Sequence, residues 1–221
     1  MVGQQLFRYF ICLTLFFIGL LRQSSGCSCV IAHPQDMFCK SDFAIRFVVN
    51  SSETMDQDHF MYHISQTVVY KNTLEFEKVQ SKHVLHTAGY DSMCGVKLKS
   101  GEKYFATGFV SGRKLAISSC GWVQKWKGIP IRQRRLIRGG YKKYCGKCKV
   151  KQCYGCSKTA KRVKDACIWD SMSPASLCYY QYALCKCKAV PSGQQRCRWS
   201  YGHKKRGNND FITCYKDIQR N

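Results

Sequence analysis

Acidic residues are scarce in this chain of 221 residues, where 13 Asp or Glu stand against 36 Lys or Arg. The formal net charge is +23, and the stretch from 103 to 164 contains no acidic residue. A field of this sign attracts polyanions. The chain is nevertheless 45 % hydrophobic and 13 % aromatic, a composition that excludes a disordered basic tail and predicts folded domains.

The chain also lacks an apolar run long enough to span a bilayer. The run at 9–21 has 13 residues, whereas a transmembrane helix needs about 20. Arg8 precedes this run, and the small residues Ser24, Ser25 and Gly26 follow it, which is the pattern of a secretory signal peptide. We therefore predict a signal peptide at 1–26 and a secreted protein that does not span a membrane.

Motifs of several enzyme classes are absent, including Gly-x-Ser-x-Gly and the glycine-rich phosphate loop. His59 and His63 have the spacing of a zinc-protease helix, but no Glu follows the first His to act as general base. In a strand, the two rings would lie about 13 Å apart. The Cys-x-x-Cys pairs at 145–148 and 153–156 stand closer together than in most zinc sites, and secretion favours disulfides there. We expect neither an enzyme nor a cofactor of its own.

Cysteine is abundant, with 16 residues, and disulfide frameworks of this density persist in oxidising compartments. Removal of the signal peptide takes Cys12 away and leaves an odd number of cysteines, so one thiol is free, capped or bonded to another chain. The cysteines crowd together after Cys145. We therefore expect a first domain at 27–145 and a smaller disulfide-rich domain at 146–221.

Aromatic and β-branched residues concentrate in three segments that we predict to be strands: 43–49, 60–70 and 103–110. A polar turn that contains glycine, at 111–114, leads into 115–117 and predicts an antiparallel hairpin. The segment 131–137 contains neither Gly nor Pro and predicts a short helix. Several strands with few helices predict a mainly β fold built on a small closed barrel.

Three motifs follow the predicted cleavage site: Cys27-Ser28-Cys29, His33-Pro34-Gln35 and Cys39. In this register they resemble the start of the tissue inhibitors of metalloproteinases. The resemblance covers nearly the whole mature chain through further landmarks: Met93-Cys94-Gly95, Ser118-Ser119-Cys120, Trp126, Gln133-Arg134-Arg135 and Cys145-x-x-Cys148. It departs from the family at Ile31 and Ala32, where prolines are frequent, and in its additional C-terminal cysteines. The resemblance implies an OB-like (netrin-like) five-stranded barrel with short helices, followed by a small disulfide-rich domain.

The resemblance also implies a set of disulfides: Cys27–Cys94, Cys29–Cys120, Cys39–Cys145, Cys148–Cys197, Cys153–Cys156 and Cys167–Cys187, with Cys185 as the alternative partner of Cys167. Cys178 and Cys214 have no counterpart in the family and could pair with each other. The first three bonds would join the new N-terminus and the loop at 91–93 into one contact surface.

The predicted N-terminal residue suggests a mechanism. A catalytic zinc in a protease keeps one coordination position open, and an α-amine with a pKa of about 7.7 to 8.0 loses its proton to a metal at little cost. Cys27, held by a disulfide, would present both this amine and the adjacent carbonyl oxygen. Because side chains alternate along an extended segment, Cys27 and Cys29 would face the protein while Ser28 faces outward.

We therefore expect a secreted inhibitor of secreted or membrane-bound zinc metalloproteinases of the matrix metalloproteinase type. Its Cys27 would chelate the zinc of the target, with Ser28, by resemblance, at the specificity pocket. The residues expected to contact the protease are Cys27, Ser28, Cys29, Val30, Ile31, Asp91, Ser92, Met93 and Cys94. The alternative is a netrin-like, heparin-binding matrix module without inhibitory activity.

The excess of basic residues predicts a second site. Outside the cell the available polyanions are sulfated glycosaminoglycans and anionic membrane surfaces rather than nucleic acid. We therefore expect the secreted protein to reside in the extracellular matrix. The residues expected to bind them are Arg132, Arg134, Arg135, Arg138, Lys142 and Lys143, with the clusters at 158–164 and 203–206 as further candidates. Asn50 begins an Asn-Ser-Ser sequon for N-glycosylation.

Overall fold

The computed structural model describes residues 26–56, 59–156, 165–191, 195–201 and 210–220. The predicted signal peptide, apart from Gly26, lies outside these residues, as do the basic clusters at 158–164 and 203–206. Within the described part of the chain, no helix combines the length and the apolar character needed to cross a membrane.

Five strands close into a barrel, which confirms the predicted OB-like fold. The order around the barrel is β1-β2-β3-β5-β4, and β4 pairs again with β1. The β3–β5 pair is parallel and the other pairs are antiparallel. A short sixth strand extends the sheet from β4. The strands are β1 (Phe43–Asp56), β2 (His59–Lys71), β3 (Val84–Ala88), β4 (Lys103–Ser111), β5 (Lys114–Ala116) and β6 (Val123–Lys125).

The barrel closes around alternate residues of β1. Phe43, Ile45, Phe47 and Val49 are fully buried and lie in one apolar cluster. This period of two places one face of the strand inside the barrel. The predicted hairpin forms at β4 and β5, where Arg113 in its turn has a positive φ of 62°.

Short helices flank the barrel, and several of them share a second buried cluster with Ala44 of β1 and Phe105 of β4 on its outer face. The helix predicted at 131–137 forms, and its last residues belong to a π-helical turn that buries Leu136 and Ile137. The helical elements of this part of the chain are α1 (Pro34–Lys40), α2 (Leu74–Glu77), 3₁₀ turns at Asp91–Met93 and Trp126–Gly128, α3 (Ile131–Arg135), the π turn Leu136–Gly140 and α4 (Tyr141–Tyr144).

The C-terminal part contains two small sheets and two helices. Strands β7 and β8 are parallel, and β9 and β10 form an antiparallel ribbon. The elements are β7 (Lys149–Cys153), β8 (Ala166–Asp170), α5 (Ser176–Tyr182), β9 (Leu184–Ala189), β10 (Gln195–Ser200) and α6 (Asp210–Arg220).

Seven disulfides cross-link the described residues: Cys27–Cys94, Cys29–Cys120, Cys39–Cys145, Cys153–Cys156, Cys167–Cys185, Cys178–Cys214 and Cys187–Cys197. The first four are pairings that the resemblance implies. Cys178–Cys214 joins the two cysteines that have no counterpart in the family.

Two expected disulfides, Cys148–Cys197 and Cys167–Cys187, are wrong. Cys187 and Cys197 stand directly opposite each other in the β9–β10 ribbon, with their Cα atoms 4.0 Å apart, so they bond to each other. Cys167 then takes Cys185, at a Cα distance of 5.9 Å. Among the described cysteines, Cys148 is the one left as a thiol.

Candidate functional site

The first residues of the described chain run without regular structure along the barrel and are held by two disulfides. Cys27 bonds to Cys94 and Cys29 bonds to Cys120, with Cα distances of 5.0 and 5.1 Å. The four sulfur atoms lie within 4.8 Å of one another. Because each sulfur is already in a disulfide, this cluster has no thiolate to offer a metal of its own.

Side chains alternate over residues 27–30 as expected for extended backbone. Cys27 and Cys29 are half-buried, whereas Ser28 is exposed. Val30 and Ile31 are also turned outward, with 78 % and 61 % of their surfaces exposed. Large apolar side chains at such exposure are available to a partner protein.

A second segment, from Asp91 to Cys94, lies beside the first. The carbonyl of Tyr90 accepts hydrogen bonds from the backbone N–H groups of Met93 and Gly95, both at 3.0 Å. Cys94 closes this turn with a φ of 62°. A Cβ at Gly95 would overlap the carbonyl oxygen of Ala88, so only glycine allows the turn to approach β3 so closely.

The two segments form one surface. Besides the Cys27–Cys94 bond, the backbone N–H of Ser119 donates to the carbonyl of Cys94 at 2.9 Å, which links the turn to the loop that carries Cys120. Met93 is 48 % exposed. We call residues 27–31 and 91–94 the ridge, and it contains all nine residues that the sequence analysis expected to contact a protease.

His33 lies at the inner end of the N-terminal segment and is only 2 % exposed. Its Nδ1 accepts the backbone N–H of Gln35 at 3.2 Å and caps α1, while its Nε2 donates to the carbonyl of Tyr179 at 3.0 Å. Burial lowers the pKa of His33 to about 4, although the bond to Tyr179 acts in the opposite direction. The imidazole is therefore neutral at physiological pH.

Gln35 continues this contact with the C-terminal part. Its Nε2 donates to the carbonyl of Cys185 at 3.0 Å, and the backbone N–H of Cys185 donates to its Oε1 at 2.8 Å. The rings of Trp169 and Trp199 pack against His33 at 5.6 and 5.0 Å between centroids. The His-Pro-Gln motif thus joins the base of the ridge to β9, a role that the sequence analysis missed because the partners are about 150 residues away in the sequence.

The expected polyanion-binding residues divide into two groups. The guanidinium of Arg132 donates to the carbonyls of Tyr182 and Ser200, at 2.7 and 3.2 Å. Arg134 donates to the carbonyl of Ile129 at 2.8 Å. These bonds tie both arginines into the fold, and their assignment as polyanion ligands stays a prediction. The exposed members are Arg135, Arg138, Lys142 and Lys143.

A second group of cations, missed by the sequence analysis, lies on the β9–β10 ribbon. Arg196 stands opposite Lys188, and Arg198 stands opposite Lys186. These four residues, which we call the basic ribbon, line a groove of about 520 Å³ in which no described acidic side chain takes part. Burial, followed by neighbouring cations including Arg132, lowers the pKa of Lys186. The alternation of cysteine with Lys and Arg at 185–188 and 196–198 is the signal that could have identified it.

The remaining sequence-predicted sites can be placed directly. Asn50 is exposed, and its Oδ1 accepts a hydrogen bond from the hydroxyl of Ser65 at 2.7 Å. His59 and His63 lie on strand β2, so the spacing of a zinc-protease helix does not apply to them.

Comparison with known proteins places this arrangement in a family. A sequence model described as "Tissue inhibitor of metalloproteinase" matches residues 25–199. Metalloproteinase inhibitor 3 of Xenopus laevis is 29 % identical over 197 residues, which cover 86 % of this chain and 88 % of that protein. Metalloproteinase inhibitor 3 of Gallus gallus is 34 % identical over 155 residues, or 67 % and 70 % of the two chains. Metalloproteinase inhibitor 4 of Mus musculus is 30 % identical over 193 residues, or 82 % and 83 %. The chain therefore belongs to the tissue inhibitor of metalloproteinase family, whose members are inhibitors rather than enzymes.

Proposed function

We propose that this protein is a secreted inhibitor of zinc metalloproteinases of the matrix metalloproteinase type. Its relatives are named metalloproteinase inhibitors, and its seven disulfides suit an oxidising compartment. In this proposal the mature chain begins at Cys27, whose α-amine and carbonyl oxygen chelate the zinc of the target. The zinc belongs to the protease, and the inhibitor needs no cofactor of its own.

The ridge geometry is the observation that carries this proposal. Two disulfides hold Cys27 and Cys29 against the barrel, so little conformational entropy is lost when the amine meets a zinc. An α-amine of ordinary pKa loses its proton near pH 7 for about 1 kcal/mol. A lysine amine would cost several times more.

Ser28 follows Cys27 and faces away from the protein, so in a complex it enters the specificity pocket beside the zinc. On the same ridge Val30, Ile31 and Met93 expose apolar surface, which contributes roughly 25 cal/mol for each Å² buried against the protease.

The test adds one Ala before Cys27. This change turns the amine into an amide nitrogen, a poor metal ligand, and leaves every disulfide in place. We expect inhibition to be lost while the circular dichroism spectrum stays that of the parent. A matched variant with one Ala added at the C-terminus should inhibit like the parent. Full inhibition by the N-terminally extended variant, or a first residue other than Cys27 on N-terminal sequencing, would refute the mechanism.

A specific observation favours a second activity, the binding of sulfated glycosaminoglycans in the extracellular matrix. Like charges directly opposite each other destabilise a strand pair, and the basic ribbon contains two such pairs. An anion in its groove would relieve this repulsion. Exposed cations of the site expected from the sequence add to the same excess of positive charge: Arg135, Arg138, Lys142 and Lys143.

Elution from heparin with rising salt tests this second activity, because salt screens exposed charge contacts over about 8 Å at physiological ionic strength. Neutralising the basic ribbon should lower the salt needed and leave inhibition unchanged. The matched control neutralises four lysines that each pair with a carboxylate: Lys40, Lys78, Lys82 and Lys97. Equal elution of both variants would exclude the ribbon, and heparin binding without any inhibition by the parent would favour the matrix-module alternative.

A further inference from the structure

Five cysteines lie close together in the C-terminal part: Cys148, Cys167, Cys185, Cys187 and Cys197. They share one apolar cluster with Val150 and Trp199, and because their number is odd they cannot all pair with one another. Two disulfides use four of the sulfurs, which leaves the Cys148 thiol next to both bonds. The Sγ atoms of Cys148, Cys185 and Cys187 lie within 4.8 Å of one another.

A thiol at this distance from a disulfide can attack it as the thiolate. The Cys148 sulfur lies within 4.8 Å of Cys187 Sγ, which places it beside the Cys187–Cys197 bond. Burial raises the pKa of Cys148, while the backbone of Cys187 and the charge of Lys147 act in the opposite direction. The thiolate is therefore a minor species at neutral pH, and its fraction grows as the pH rises.

The surroundings of the leaving sulfur distinguish the two possible targets. Attack on Cys185 would expel Cys167, which is 3 % exposed and would have to become an anion in an apolar site. Attack on Cys187 would expel Cys197, which is half-exposed, so its developing thiolate keeps contact with water.

We propose that Cys148 exchanges with the Cys187–Cys197 disulfide, so that the mature protein exists as two covalent isomers. The Cys148 thiolate attacks Cys187 Sγ and a Cys148–Cys187 bond forms. The Cys187–Cys197 bond breaks, and the Cys197 sulfur leaves with the electron pair and takes up a proton from water. One thiol is consumed and one is produced, so the step requires no oxidant.

The exchange moves a covalent link within the fold. In one isomer β9 is tied to β10, and in the other it is tied to the segment just after Cys145. The ridge keeps both of its disulfides, Cys27–Cys94 and Cys29–Cys120, in either isomer. The inference goes beyond inhibition and does not depend on it.

Thiol mapping of the full mature protein tests the proposal. The protein is equilibrated at about pH 8, its thiols are trapped with N-ethylmaleimide in denaturant at about pH 6, and it is digested with pepsin in acid, where thiolates are scarce. We expect label on both Cys148 and Cys197, together with a cross-linked peptide that joins Cys148 to Cys187. Label confined to a single cysteine would overturn the proposal.

Interconversion and two variants complete the test. An isomer isolated by chromatography in acid should regenerate the mixture, at a rate that rises about tenfold per pH unit below the thiol pKa. Failure to regenerate it would also overturn the proposal. Cys148→Ser should abolish label at Cys197. The double variant Cys178→Ser and Cys214→Ser, which removes a disulfide outside the cluster, should keep both labels, and loss of the Cys197 label there would contradict the assignment.

Discussion

Acidification should destabilise this protein through His33, the buried histidine that caps α1. Protonation would add a charge at a site that is 2 % exposed and would remove the acceptor at Nδ1 that binds the backbone N–H of Gln35. The bond from Nε2 to the Tyr179 carbonyl would remain. The neutral ring is therefore required for the contact between α1 and the C-terminal part.

The magnitude follows from the difference between the two pKa values of His33. An unfolded histidine titrates near 6.5, whereas the pKa in the folded protein is about 4. Because the folded pKa is the lower one, the unfolded state binds the proton first. The contribution of His33 is fully present above about pH 6.5 and falls by about 3 kcal/mol as the pH drops to 4.

Urea unfolding with intact disulfides measures this change, with tryptophan fluorescence as the signal because Trp169 and Trp199 pack on His33. Other groups titrate in the same range, so the quantity of interest is the free energy of unfolding of the parent minus that of His33→Asn at each pH. Asparagine also caps helices, which lets the variant fold. The difference should shrink by about 3 kcal/mol from pH 7 to 4. The matched control is His83→Asn, which changes an exposed histidine. A flat difference for His33→Asn would refute the reasoning.

Three further predictions concern other parts of the molecule. Gln35→Ala leaves the buried backbone N–H and carbonyl of Cys185 without their partners on Gln35, so it should lower the free energy of unfolding by about 2 to 4 kcal/mol. In the same urea titration the control Gln80→Ala, at an exposed position, should change the free energy of unfolding by less than about 0.5 kcal/mol. Ser28→Gly should weaken inhibition of most target proteases, and Ser28→Arg should weaken it more through clash and desolvation; unchanged inhibition constants for both would show that Ser28 does not enter the pocket. Asn50→Gln should remove a glycosidase-sensitive mass from the protein secreted by eukaryotic cells, and a parent without that mass would contradict occupancy of the sequon.

Local patterns in the sequence were sufficient for four of the five barrel strands, whereas β3 (Val84–Ala88) was not predicted. The alternation of Phe43, Ile45 and Phe47 with other residues defines a strand whichever partner it finds, because side-chain direction depends on the backbone of that strand alone. The hairpin at 111–114 is equally local. The family resemblance supplied the disulfides that hold the ridge. The division into domains at 27–145 and 146–221 stays a prediction.

Contacts between distant segments were decided only in the tertiary structure. The pairing of Cys187 with Cys197 depends on the register of β9 against β10, and cysteine spacing does not encode register. The contact between Gln35 and Cys185 likewise requires α1 to lie against β9. Arg132 looked like a surface cation in the sequence, yet packing turned its guanidinium toward backbone carbonyls. The sequence by itself determined which faces are apolar and which residues are charged, whereas the partners of each polar or sulfur atom followed from which strands and helices came together.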